Sequence, residues 1–286
     1  MINKNSVIYH LITDRFENDS GTLVELLSSP DYNNNFGNYF GGTFKGIEKR
    51  IDHFTELGVS HVLISPVQKS SAYHGYSYDH SFEINTKFGS EDDLKNMITA
   101  LKEKSIGTIM DYVTTFVSKN NPLFKEKTKT KKGRDWFLFK DMASHPVYRD
   151  YYDELVYKLT SGDSELLDQV NPQEYLGYFG LVDSPLLNLK NPEVVEWQKK
   201  VMGHWIKNFG FSDVRIDSGF IQPRSFIGEI TQHLNEIIPG VNTLAEYWDF
   251  QLYSGAPCYG FSNSEFDIKG THLMNNLETN QNFFNE

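Results

Sequence analysis

The chain has 286 residues, with 27 basic against 38 acidic side chains and a formal net charge of −11. That surplus speaks against a nucleic-acid partner, since phosphate binding needs a basic face. The single cysteine, Cys258, excludes an intrachain disulfide, and no leader or bilayer-long apolar run is seen, so a cytoplasmic protein with no membrane partner is expected.

In chain order, the apolar run Ser6 to Ile12 predicts a buried strand, closed by Thr13-Asp-Arg-Phe16. Asp31 to Asn38, rich in Asn and Gly, predicts a surface loop whose Asn side chains suit turns better than cations. Gly41-Gly-Thr-Phe-Lys-Gly-Ile47 opens a helix through Leu57, with Thr43 as N-cap and Gly58 as the stop. A strand over Val59 to Pro66, a helix over Glu91 to Lys104 capped by Ser90, and a strand over Thr108 to Val113 follow. From Thr114 to about Leu187 periodicity is lost, in a segment with a basic run, Lys125 to Arg134, and aromatic clusters around Trp136 and Tyr151. A segment of this length is usually functional or a small inserted domain. Alternation resumes with a helix over Asn191 to Asn208, Pro192 in its first turn. Strands alternating with helices call for a mostly parallel sheet.

Phe211-Ser-Asp-Val-Arg-Ile-Asp-Ser-Gly-Phe220 departs from the apolar pattern of a buried parallel strand. Asp213, Arg215 and Asp217 leave an extended chain from one face, which Phe211 should share, while Val214 and Ile216 pack on the other. Burying three ionised groups is costly, so the stretch is either a solvated strand with an ion pair or a site where charges meet a ligand. Arg215 beside Asp217 is expected to keep that carboxyl ionised. Next come a helix from Arg224 to Ile238, the stop Pro239-Gly240, and a strand from Val241 to Asp249 that carries Glu246. Such a unit makes its strands parallel neighbours about 4.8 Å apart. Asp217 and Glu246 then face each other across ~5 Å, the spacing of a retaining glycosidase pair.

These residues resemble the α-amylase family of glycoside hydrolases over nearly the whole chain. Val7-Ile-Tyr-His-Leu-Ile-Thr-Asp-Arg-Phe16 resembles its opening strand; Gly41 to Ile47 with Leu57-Gly-Val59 and Ser65-Pro66 resembles its first helix and second strand. His74-Gly-Tyr76 followed by Lys87-Phe-Gly89 is similar to the loop that sets a stacking tyrosine under the sugar. Ile109-Met-Asp-Tyr-Val113, Val214-Arg-Ile-Asp217 and Leu244-Ala-Glu-Tyr-Trp248 resemble the third, nucleophile and acid/base strands. The resemblance implies a TIM-type (β/α)8 barrel, incomplete in this chain at about six strands, from residues 1–113 and 188–286, with 114–187 as a small inserted domain after strand three. It implies a retaining enzyme acting on α-linked glucans, with Asp217 as nucleophile, Glu246 as acid/base, Tyr76 as stacking platform, and Arg215, Asp111 and His74 contacting substrate. Thr115 and Phe116 stand where the family usually has an Asn-His pair for calcium and sugar, so no metal or cofactor is expected. Phe220 and Ile221 replace a common Lys-His, and Ser212 replaces an Asp. Phe261 to Ile268 looks like strand six, and the family's third carboxylate has no counterpart. The chain alone is therefore expected to be weakly active, as a fragment of a longer enzyme or with a partner chain or dimer closing the barrel. A non-catalytic carbohydrate-binding or regulatory relative is the alternative.

Overall fold

The computed structural model describes residue 2 and residues 5–21, 37–160, 174–248 and 257–261. Strand β1, Ile8–Leu11, leads through a single helical turn, Thr13–Phe16, towards two short helices, α1 (Phe44–Lys49) and α2 (Ile51–Glu56). Thr43 caps α1 by accepting from the Gly46 N–H, as expected, but the single helix read from the sequence breaks at Arg50, whose φ of −104° and ψ of 15° are not helical. Strand β2, His61–Ile64, is buried throughout. Helix α3, Glu91–Glu103, starts on a reciprocal capping box between Ser90 and Asp93 and buries Leu94, Met97, Ile98 and Leu101, the spacing of one helical face. Strand β3 is Gly107–Val113.

The aperiodic segment holds short helices α4 (Pro122–Lys127) and α5 (Lys131–Arg134), a longer α6 (Arg149–Thr160), and a hairpin of β4 (Gly177–Tyr178) and β5 (Leu181–Pro185). Its two ends are drawn together by antiparallel bridges within the segment, Phe116 to Leu186 and Phe137 to Leu187. Helix α7, Pro192–Phe209, is capped by Asn191; β6 (Asp213–Asp217), α8 (Arg224–Ile237), β7 (Thr243–Trp248) and β8 (Pro257–Phe261) follow.

The main sheet runs β1-β2-β3-β6-β7-β8. The first five strands are parallel, and β8 pairs antiparallel with β7. This is an open part of a β/α barrel. The strand expected at Phe261 to Ile268 lies, beyond Phe261 at the end of β8, outside the described residues, as does most of the Asn-rich stretch from Asp31. The helix-facing side of the sheet carries the large core, including Phe54, Val62, Met97, Met110, Trp205, Val214, Ile216 and Ile230. The concave side carries a small cluster of Ile2, Leu63, Ile109 and Leu244. Phe211, expected on the charged face, packs instead in the helix-side core, because the strand begins only at Asp213.

Candidate active site

The charged strand is not solvent-facing. Asp213, Arg215 and Asp217 are 4%, 2% and 7% exposed, which decides between the two readings of the sequence in favour of a buried polar cluster. The three separate into two networks at opposite ends of β6. At the amino end, Asp213 accepts from the backbone N–H and side-chain amide of Asn242 at 3.0 and 2.7 Å and from the Ser212 hydroxyl at 2.6 Å, with His61 Nε2 3.8 Å away. That satisfies the carboxylate and leaves it a structural part.

At the carboxyl end, β6 pairs Arg215 with Asp111 of β3 and with Leu244 of β7. Two residues further along β6 and two along β7 bring Asp217 and Glu246 side by side on neighbouring parallel strands. A single guanidinium holds them together: Arg215 Nη1 lies 2.5 Å from Asp111 Oδ1 and 2.7 Å from Asp217 Oδ1, and Nη2 lies 2.9 Å from Glu246 Oε2. Tyr76 donates its hydroxyl to Asp111 Oδ2 at 2.8 Å. Its loop position depends on Gly75, where φ is +81° and a Cβ would sit 2.3 Å from the Pro66 carbonyl oxygen. The His74 ring stacks on Tyr76 at 5.6 Å, and its Nδ1 accepts from the Tyr76 N–H.

The electrostatics correct one expectation. Burial pushes the Asp217 carboxyl up to about 7, outweighing the pull of Arg215, with Asp111 and Glu246 adding like charge. Asp111 is raised too, again by burial against Arg215. Burial works against the Arg215 charge, but its carboxylate neighbours more than restore it and move it upward. With Asp217 and Asp111 both raised around one cation, the cluster retains a proton towards neutral pH. Burial lowers His10 and His74, which favours neutral rings.

The cluster opens into a pocket of about 750 Å³ whose walls include His10, His74, Tyr76, Phe116, Tyr178 and Asp183 beside Arg215, Asp217 and Glu246. All six residues picked from the sequence meet here: five in the hydrogen-bonded cluster and His74 on its wall. His10, whose Nε2 is 3.7 Å from Asp111 Oδ2, was missed, although alternation along β1 puts it on the concave face. Tyr178 and Ser218 were also missed; nothing in the local pattern of an aperiodic hairpin or a post-strand turn announces a contact 40 residues away. No cluster of three or more His, Cys, Asp or Glu side chains suited to a metal occurs among the described residues. The Thr115 hydroxyl is buried without a hydrogen-bond partner, and Phe116 beside it offers no donor oxygen from its ring. Calcium takes six or more oxygens, and these two side chains offer one. No helix among the described residues is long and apolar enough to cross a membrane.

Residues 10–233 match the family model described as alpha amylase, catalytic domain. Alpha-amylase 2 of Dictyoglomus thermophilum is 31% identical over 216 residues, covering 75% of this chain and 32% of the relative. The maltogenic alpha-amylase of Bacillus acidopullulyticus is 26% identical over 259 residues, 87% of this chain and 39% of its own length. The type III pullulan hydrolase of Thermococcus kodakarensis superposes with a TM-score of 0.67 at 26% identity, covering 86% of this chain and 44% of that structure. The chain thus spans about a third to two fifths of the length of these curated relatives.

Proposed function

The chain belongs to the α-amylase family, and from that premise we propose that the protein is a retaining glycosidase or glycosyl-transferring enzyme acting on α-linked glucans. The observation that carries this is the Arg215 guanidinium holding Asp111, Asp217 and Glu246 on the wall of one pocket. Asp217 attacks the anomeric carbon, the bond to the glycosidic oxygen breaks, and that oxygen takes its proton from Glu246. A water or sugar hydroxyl then attacks the glycosyl ester while Glu246 takes its proton back and Asp217 leaves as carboxylate. Productive binding needs the cluster's proton on Glu246. Its Oε2 is engaged by Arg215 and by the Ser218 N–H, so Oε1 is the oxygen that carries it. Tyr76 and His74 present a stacked aromatic floor for the sugar.

The same reading takes residues 114–187 as a small inserted domain and 1–113 with 188–286 as barrel, its open edges closed by further polypeptide of the same or a partner chain. It assigns no calcium to the end of β3, for the reason given by Thr115 and Phe116. The test is turnover of maltooligosaccharides and an activated α-glucoside by the protein as encoded, with the anomeric form of the first product read by NMR. Retention of configuration, lost in Asp217→Asn and in Glu246→Gln, is the expected result. Inversion would overturn the mechanism, and saturable oligosaccharide binding without turnover would favour a non-catalytic carbohydrate-binding protein.

A further inference from the structure

Both proposed catalytic carboxyl groups are tied to one residue that neither sugar chemistry nor the family reading requires. Ser218 is fully buried and sits in the left-handed region, at φ 55° and ψ 40°, where a side chain other than glycine is strained. That turn aims its backbone N–H at Glu246 Oε2, 3.0 Å away, and its hydroxyl at Asp217 Oδ2, also 3.0 Å away. The next residue, Gly219, has room for no side chain at ease: a Cβ there would lie 3.0 Å from the Glu246 carbonyl oxygen. On its far side the Ser218 hydroxyl meets the Tyr178 hydroxyl at 2.7 Å. A serine has one hydroxyl proton, and an ionised carboxylate only accepts, so while Asp217 is charged the order is fixed: Tyr178 donates to Ser218, and Ser218 donates to Asp217.

Tyr178 comes from the β4-β5 hairpin of the inserted segment, and its ring is clamped against Phe116 at 4.7 Å in a stacked arrangement. Phe116, which stands where the family usually has a sugar-contacting His, serves here as the backing of that phenol. The same segment grips the turn after β6 twice more. Lys158 of α6 donates to the Phe220 carbonyl oxygen at 3.0 Å, and the Phe179 ring lies 6.3 Å from that of Phe220.

We propose that Tyr178 is a positioning residue for Asp217, acting through the Ser218 hydroxyl, so that the inserted segment sets the orientation and proton affinity of the nucleophile. This rests on the reading of Asp217 as nucleophile. The groups facing Asp217 are Arg215 of its own strand, Asp111 of β3, Glu246 of β7, Tyr76 of the loop after β2 and, through Asp111, His10 of β1. Among them the Ser218 hydrogen bond favours the charged carboxylate, so weakening it raises the pH at which Asp217 ionises.

The experiment compares Tyr178→Phe, Ser218→Ala and the double variant in the protein as encoded. Tyr178→Phe keeps the ring on Phe116 and removes only the donor; we expect kcat to fall by about three- to tenfold with KM little changed, and the acid limb of the pH profile to move up. The double variant is expected to be no worse than Ser218→Ala, because the phenol's hydrogen bond reaches Asp217 through the Ser218 hydroxyl. A second reading needs no substrate: the Asp217 carboxyl titration followed by carbon-13 NMR, identified by its loss in Asp217→Asn, should move upward in Tyr178→Phe. An effect on KM alone, additive losses in the double variant, or an unmoved carboxyl titration would each overturn the proposal. If the parent protein turns over no α-glucan, the enzymatic reading fails separately, and the titration still decides on the relay. Should Ser218→Ala not fold, the titration of Tyr178→Phe against the parent decides by itself.

Discussion

At the scale of residues, the site is a buried cluster with more acid than base, and its pH behaviour follows from that imbalance. The folded Asp217 carboxyl is raised to about 7 by burial, above the ordinary carboxylate range. A raised acid stabilises the fold fully below its unfolded pKa, and that contribution is lost as the pH rises through its folded one. Asp217→Asn, which removes the buried charge, should therefore raise the melting temperature more at pH 8 than at pH 4, measured by thermal unfolding at both. Equal shifts at the two values would mean that Asp217 ionises as an exposed carboxyl does. In catalysis the same group must be charged, so kcat/KM of the free enzyme should decline as the pH drops through about 7. Arg215→Lys replaces a fork that reaches three carboxylates by a point charge that cannot span them, and should lower kcat by about a hundredfold or more as the acid pair loses register.

At the scale of elements, the parts that local rules govern were legible. Ser90, the apolar stripe of α3 and the strand-helix-strand unit from β6 to β7 follow spacing and capping rules, and the shared face of Asp213, Arg215 and Asp217 follows from a period of two. Spacing could not say that Asp213 and Asp217 have different fates, since this depends on Asn242 and Ser212 at one end and Arg215 at the other. Nor could it find Tyr178, whose contact with Ser218 is made by an aperiodic segment folding back on the barrel. Ser90→Ala breaks a capping box remote from the pocket and should cost about 1 kcal/mol in denaturant unfolding without altering KM. Gly75→Ala forces a Cβ against the Pro66 carbonyl at a left-handed position, and should cost about 1–3 kcal/mol while raising KM, because the Tyr76 ring moves with the loop. A KM unchanged in a folded Gly75→Ala protein would show that the loop places Tyr76 by other means.

At the scale of the whole molecule, the described residues form a five-strand parallel arc with an added antiparallel strand, backed by helices on one side and opening its concave side to the pocket. Because no cluster of three or more His, Cys, Asp or Glu side chains suited to a metal occurs among the described residues, treatment with a calcium chelator should leave the melting temperature unchanged; a drop reversed by calcium would reveal ligands beyond those described. The partners across β3 and β6, Asp111 and Arg215, stand 104 residues apart in the chain. On the ribosome, at roughly 5–20 residues per second, β3 therefore waits on the order of 5–20 seconds with the backbone groups of one edge unpaired before its neighbour is made. The intervening segment separates those two events in time as well as in sequence. Arg215, Asp217 and Glu246 are all translated after that segment, so the nascent chain has no assembled acid pair until the first three strands of the sheet are already made.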